Sequence, residues 1–337
     1  MRPAFHPRLI NGPFDDPGLF IPFLFENRAI IFDLGDIHAV SAKDILKISH
    51  AFITHTHMDH FVGFERLLRL FLGREKNISF YGPKGFIKNI EGKLAGYSWN
   101  LVNSFQNQFI LNITEVREKY LLSNQYVCRE GFSPSRRKPH KQKFNSVLLD
   151  EHGLSVSTVQ LDHEIPSLGF SIKEQFHINI LKDRLENLGL KIGPWIKKFK
   201  QALYKGEDLD SPFEVQSGKE NIKRIQFILG DLKDKITLIT PGQKITYIVD
   251  VAYTDNNAGK IVAFAKDSDH LFIEAAFLEK HMDIAKQKHH LTARQAGRLA
   301  GKSKAKQFTP FHFSPRYKGE EQLLRKEAME AYKEAIQ

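Results

Sequence analysis

The chain has 337 residues, 42% of them hydrophobic and 26% charged, with a formal net charge of +10. That length and apolar content can bury the core of one large layered domain or of two ordinary ones, and no uninterrupted apolar run of about eighteen residues offers a membrane span. A single cysteine, Cys128, excludes an intrachain disulfide framework and a cysteine-based zinc finger, so a transition metal would have to be held by carboxylates and some of the fifteen histidines.

The opening residues Met1-Arg2-Pro3-Ala4-Phe5-His6 carry no apolar run of the secretory type, which leads us to expect a soluble, cytoplasmic protein. Residues 20–33 read as two short apolar strands joined by a turn at Glu26-Asn27-Arg28. Residues 51–54 form a buried strand that feeds the polar run His55-Thr56-His57-Met58-Asp59-His60, and leucines at helical spacing follow over residues 64–72. Strand-then-turn recurs at 78–83, with a helix expected from about 84 to 94. The loop 133–143 is strongly basic and is either mobile or an anion contact. From 147 to 172 the pattern is strand again, interrupted by the polar loop Asp162-His163-Glu164-Ile165-Pro166.

Residues 176–235 change character, being Lys-rich, helical in pattern and broken at Gly193-Pro194, and we read them as an inserted basic arm. Strand and helix then alternate: strands at 245–249, 270–273 and 307–312, helices at 259–265 and 292–300, and an amphipathic helix over 320–335.

The chemistry concentrates in residues 55–60. Four ligand-type side chains in six positions are too dense for an ordinary loop, and alternation along an extended chain puts His55 and His57 on one side, able to reach one ion. Asp59 and His60 lie further along and can reach a second.

This HxHxDH run after a buried strand resembles the signature of the metallo-β-lactamase superfamily. The resemblance extends to Asp33 in IIFDLG, His163 in LDHEIPSLGF, Asp250 in YIVDVAYTD and His312 in FTPFHFSPRY. It implies an α/β fold, the four-layer αβ/βα sandwich, as a single domain over 1–337 with the arm at 176–235 inserted. It also implies two metal ions: His55, His57 and His163 on one, Asp59, His60 and His312 on the other, Asp250 bridging, and Asp33 supporting the metal loop. Zinc is the expected metal, with manganese or iron compatible with the same ligands. Two such ions lower the pKa of water toward neutrality and can clamp the attacking and departing oxygens, so a bridging hydroxide becomes available.

Three segments are similar to the tRNase Z family within that superfamily: residues 273–277 (IEAAF), His290-Leu291-Thr292, and residues 312–317 (HFSPRY). The resemblance implies a tRNA 3′-processing endoribonuclease in which Asp59 is catalytic as well as a ligand. Glu274 and His290 would pair near the metals, the histidine protonating the departing 3′ oxygen. Glu274 could instead cap a helix, with His289 equally available. The arm, with Lys197, Lys198 and Lys200 after its Gly-Pro break, would grip tRNA phosphates together with Arg316, and a homodimer is implied. The chain departs from the family at its N-terminal loop, Leu9-Ile10-Asn11-Gly12-Pro13-Phe14, and at Ile273, where the family has histidine. A small phosphodiester, an aryl sulfate or a thioester is therefore the alternative substrate, and a noncatalytic RNA-binding scaffold the alternative of another class.

Overall fold

A computed structural model describes residues 5–24, 26–217 and 223–337. Residues 1–4, within the opening segment, and 218–222, within the expected arm, lie outside the described residues.

The first half of the chain alternates short strands with helices and builds one sheet of eight strands in sequence order. These are β1 (Arg8–Leu9), β2 (Leu19–Pro22), β3 (Ala29–Phe32), β4 (Ile48–Phe52), β5 (Lys76–Gly82), β6 (Phe109–Val116), β7 (Tyr120–Val127) and β8 (His140–Lys143). The helices α1 (Ala42–Ile45), α2 (Met58–Phe61), α3 (Phe64–Phe71) and α4 (Phe86–Ala95) lie between them. Strands β3 to β6 are mutually parallel, as helical crossovers require, and the outer pairs are antiparallel hairpins. The basic loop is partly ordered as the edge strand β8, where Lys141 and Lys143 oppose further strand pairing.

The second sheet starts with β9 (Val147–Glu151), β10 (Leu154–His163) and β11 (Ile165–Glu174). The sequence reading of a polar loop at 162–166 needs correction: β10 and β11 pair as far as His163 opposite Ile165, and the reversal falls on Glu164 alone, at φ 64°. Next come β12 (Phe176–Ile180), α5 (Lys182–Asn187), α6 (Trp195–Lys205), β13 (Pro212–Ser217), β14 (Lys223–Ile228), α7 (Leu229–Ile236) and β15 (Thr237–Pro241). The chain then returns through β16 (Lys244–Ile248), α8 (Asp255–Phe264), β17 (His270–Glu274), α9 (Met282–Gln287), α10 (Ala293–Lys302), β18 (Phe308–Phe311) and α11 (Glu321–Ile336). The sheet order is β18-β17-β16-β11-β10-β9, with β16, β17 and β18 parallel.

Alternation along the strands sorts side chains into three apolar layers. In β3, Ala29 and Ile31 face the helices α1, α3 and α4, while Ile30 and Phe32 face the other sheet. In β17, Leu271 and Ile273 face α8, α10 and α11, while Phe272 faces inward. Helix, sheet, sheet, helix is the four-layer arrangement expected. The middle layer is aromatic: Phe32 packs edge-on against Phe52 at 5.6 Å and lies 5.4 Å from Phe170 and 5.9 Å from Tyr247, pairs worth about 0.5–1.5 kcal/mol each beyond their burial.

The segment read as an arm is not simply helical. β12 pairs with β15 and β13 with β14, and Ile178, Trp195, Phe199, Val215 and Leu232 form an apolar cluster of their own. Register partners Phe176 and Pro241 bracket it, so the insertion runs to residue 241.

Candidate metal centre

The parallel strands of both sheets deliver their C-terminal ends to one cleft, the usual place for ligands in sheets of this kind. Asp33 follows β3, His55 follows β4, Asp250 follows β16, Glu274 ends β17 and His312 follows β18. Three of these, Asp33, Asp250 and His312, have positive φ (58°, 49° and 56°), a conformation that costs non-glycine residues energy and that turns the chain sharply at each strand end. His57, extended at ψ 155°, is the N-cap of the single-turn helix α2, which carries Asp59 and His60. The strand-to-helix placement read from the sequence therefore holds, with the last two residues on the helix.

His55, His57, His163 and Asp250 bring ligand atoms within 4.8 Å of one another, and so do Asp59, His60, Asp250 and His312. Asp250 belongs to both groups. Its Oδ2 lies 3.3 Å from His55 Nε2, 3.1 Å from His60 Nε2 and 3.6 Å from His163 Nε2, while its Oδ1 lies 2.9 Å from His312 Nε2. His55 Nε2, His60 Nε2 and Asp250 Oδ1 are buried and have no hydrogen-bond partner, their short contacts being poorly aligned. Buried polar atoms left so are costly unless something else satisfies them, and lone pairs of imidazole and carboxylate converging from several sides suit a divalent cation. The residues present fit the metal the sequence implies.

The surroundings fix which ring nitrogen faces inward. His60 Nδ1 donates to Asp33 Oδ2 at 2.9 Å and His163 Nδ1 donates to the His289 carbonyl at 2.7 Å, leaving each Nε2 as the acceptor. Asp33 is fully buried and also accepts from Thr54 N at 2.7 Å, Thr54 Oγ1 at 2.9 Å and Tyr247 OH at 3.1 Å. Burial pushes His55 down to about 4, so its ring is neutral at physiological pH with a lone pair to give. Burial also opposes charge on His60, yet Asp250 and Asp33 on either side hold its protonated form well above the usual histidine range when no cation competes. Burial alone would raise Asp250, but His312 and His60 keep it well below the ordinary carboxylate value.

Glu274 and His290 meet as read: Nδ1 of His290 lies 2.8 Å from Glu274 Oε2, and Glu274 Oε1 accepts from Val251 N at 2.7 Å. Glu274 is fully buried, caps no helix, and forms with Asp250 and His290 a third ligand-type group. Burial would lower His290, but Glu274 beside it raises it to about 9. His289, the competing candidate, instead offers its carbonyl to His163 and its ring to Glu164 at 3.3 Å.

The residues read as RNA contacts divide. Lys197, Lys198 and Arg316 are exposed. Lys200 is corrected: it is 8% exposed, and its ammonium donates to the Ile178 carbonyl at 2.6 Å inside the arm's apolar cluster. Thr54, Tyr247 and the His289 carbonyl were missed by sequence reasoning, since no residue type announces a hydrogen bond to a buried carboxylate.

These two sheets with outer helices and a histidine and aspartate cleft between strand ends define a protein of the metallo-β-lactamase fold. Among solved structures, the chain superposes on the metallo-β-lactamase fold protein YhfI of Bacillus subtilis with a TM-score of 0.53 at 13% identity, over 97% of this chain and 92% of that one. It superposes on human tRNase Z, short form, with a TM-score of 0.50 at 19% identity, over 94% and 93%. In sequence its curated relatives carry the name Ribonuclease Z. That of Deinococcus radiodurans is 24% identical over 283 residues, 84% of this chain and 79% of the relative, and that of Nanoarchaeum equitans is 26% identical over 307 residues, 89% and 78%. No family model matches the chain.

Proposed function

We propose that this chain is a metal-dependent endoribonuclease that removes the 3′ trailer of precursor tRNA. The observation that carries the reading is the convergence of two ligand groups on the shared Asp250 beside the Glu274–His290 pair. The relatives named Ribonuclease Z support the RNA substrate.

His55, His57 and His163 would hold one cation and Asp59, His60 and His312 the other, with Asp250 between them; zinc suits these ligands. When bound, such cations supply Lewis-acid charge and bring the pKa of a water from 15.7 to about 7. The chain's own residues do the rest. Glu274 holds His290 through Nδ1, so Nε2 is the nitrogen free to deliver a proton. The Glu274 carboxylate beside His290 raises its pKa in the cation-free protein and so favours the protonated ring. As a water that has already given one proton to solvent attacks phosphorus and the P–O3′ bond breaks, the His290 proton goes to the departing oxygen, which would otherwise leave as a poor alkoxide. The sandwich acts as a single domain, the insertion presents Lys197 and Lys198 to RNA phosphates, and the protein works as a cytoplasmic homodimer. No helix among the described residues is long and apolar enough to cross a membrane.

The test incubates metal-loaded protein with a trailer-bearing tRNA and maps the cut, with Asp59→Ala as control. A single cut at the trailer junction, lost in the variant, is expected. An uncut trailer, or cutting by Asp59→Ala at the wild-type rate, refutes the reading.

A further inference from the structure

Opening onto the metal cleft lies a hollow of about 290 Å³ that shares Asp59, His290 and His312 with it, near the lower end of ligand-pocket sizes. Its distinctive wall comes from the N-terminal loop. Phe14 stands edge-on to Phe313 at 5.5 Å, and Asp15 and Asp16 line the same hollow. The loop is pinned from several sides. Phe313 N donates to the Pro13 carbonyl at 2.6 Å, Asn11 Nδ2 donates to the Asp16 carbonyl at 2.9 Å and to the Asp36 carbonyl at 2.7 Å, and Asp16 Oδ2 accepts from Asp36 N at 3.1 Å. Gly35 lets this happen, since a Cβ there would sit 2.6 Å from Asp16 Cβ. The hollow is thus built before any ligand arrives.

Its chemistry is polarised. Lys288, which also lines the neighbouring opening around His57 and Glu164, is suited to a phosphate. The Phe14 side, with an aromatic face and two carboxylates that accept but cannot donate, repels phosphate and suits a flat, neutral group rich in hydrogen-bond donors. We infer that this hollow holds the nucleoside adjoining the scissile phosphate, its base against the Phe14 ring and its amino or hydroxyl hydrogens on Asp15 and Asp16. The inference rests on the phosphodiesterase reading and adds the means by which that nucleoside is held.

The experiment is a double cycle. One arm is a trailer-bearing RNA whose nucleotides flanking the cut are made abasic one at a time; the other is Phe14→Leu, which keeps the apolar packing on Phe313 but removes the aromatic face, alongside Phe14→Ala. Base stacking on an aromatic side chain predicts that kcat/KM falls about tenfold or more for one abasic position. Phe14→Leu should cause a similar fall on intact RNA and little further loss on that abasic RNA. Losses that multiply independently, or no loss in either arm, overturn the inference. If the wild type cuts no RNA, the phosphodiesterase reading fails, and equilibrium binding of the same intact and abasic oligonucleotides to wild type and Phe14→Leu decides the pocket: equal affinities overturn it, and a preference for the base that Phe14→Leu abolishes upholds it.

Discussion

Replacing Asp33 by Asn changes one atom type at the base of the site and should cost one metal ion selectively. In the native protein the Asp33 carboxylate receives hydrogens from Thr54, Tyr247 and His60, and it sends the His60 lone pair toward the cleft through Nε2. Asparagine keeps an acceptor for Thr54 but presents an NH₂ group where Oδ2 stood, facing two donors, Tyr247 OH and His60 Nδ1–H. To escape the donor–donor clash His60 must move its hydrogen to Nε2, the atom that would otherwise bind metal. Loss of such a supporting partner weakens metal affinity about 10- to 100-fold, equivalent to about 1.4–2.8 kcal/mol. His57 and His163 donate no hydrogen bond to Asp33, and His55 reaches it only through Thr54 Oγ1, 3.1 Å from its Nδ1, so the ion these three would hold should keep its affinity. Zinc titration by calorimetry or by competition with a chromophoric chelator should show one unchanged equivalent and one weakened by that factor. Equal affinity at both sites in the variant, or equal loss at both, would refute the tautomer argument.

Lys197→Ala with Lys198→Ala should lower RNA cleavage several-fold and reduce the salt dependence of RNA binding by about one to two phosphate contacts, while hydrolysis of a small phosphodiester stays at the wild-type rate; equal losses on both substrates would remove the arm from the mechanism. His50 lies beside the stacked pair Phe52 and Tyr81, 6.2 Å and 6.4 Å from their rings, and burial lowers it to about 4. Its unfolded value is near 6.5, so as pH falls from 6.5 to 4 the unfolded chain takes up a proton that the native one refuses, and stability drops. The full shift corresponds to about 3 kcal/mol and, discounted for a half-buried ring, to about 2 kcal/mol; His50→Phe should flatten urea unfolding against pH by that amount over this window. Gly297→Ala should destabilise, because its Cβ would lie 1.9 Å from the Ala328 carbonyl oxygen and overpacking of about 1–3 kcal/mol outweighs the roughly 1 kcal/mol gained in helix propensity. Gly92→Ala in α4 meets nothing within 4 Å and should raise the urea midpoint by about 0.5–1 kcal/mol equivalent.

The site was legible from sequence where its chemistry is local. His55 to His60 are six consecutive residues, and the other ligands each follow an apolar run that reads as a strand. Strand and helix alternation was legible where a strand is buried on both faces, as β3 is, or alternates over most of its length, as β6 does. The helical reading of the insertion missed its ribbons β12–β15 and β13–β14, which have only two strands each; the alternation of Phe213 and Val215 in β13 and of Ile225 and Phe227 in β14 was the available signal. Lys200 was misjudged for a related reason: counting lysines along α6 ignores that Trp195, Phe199, Ala202 and Leu203 define the inward face and that Lys200 turns with them. Phe14 and Asp16 carried no motif at all, because what brings them to the hollow beside His312 is Gly35 and Pro13 fastening a distant loop to strand ends.

Phe176 and Pro241 face each other as neighbours in a two-stranded ribbon, so the chain leaves and re-enters the second sheet through a single narrow gate. Whatever lies beyond that gate can lengthen, shorten or be swapped without shifting the register of β11 against β16, since the loop-closure cost grows only with the logarithm of its length. The insertion also rests on the body through Tyr204, whose hydroxyl donates to Glu174 at 2.8 Å, so excision of residues 177–240 across a short linker should leave the histidine cleft assembled but lower stability where that contact is lost.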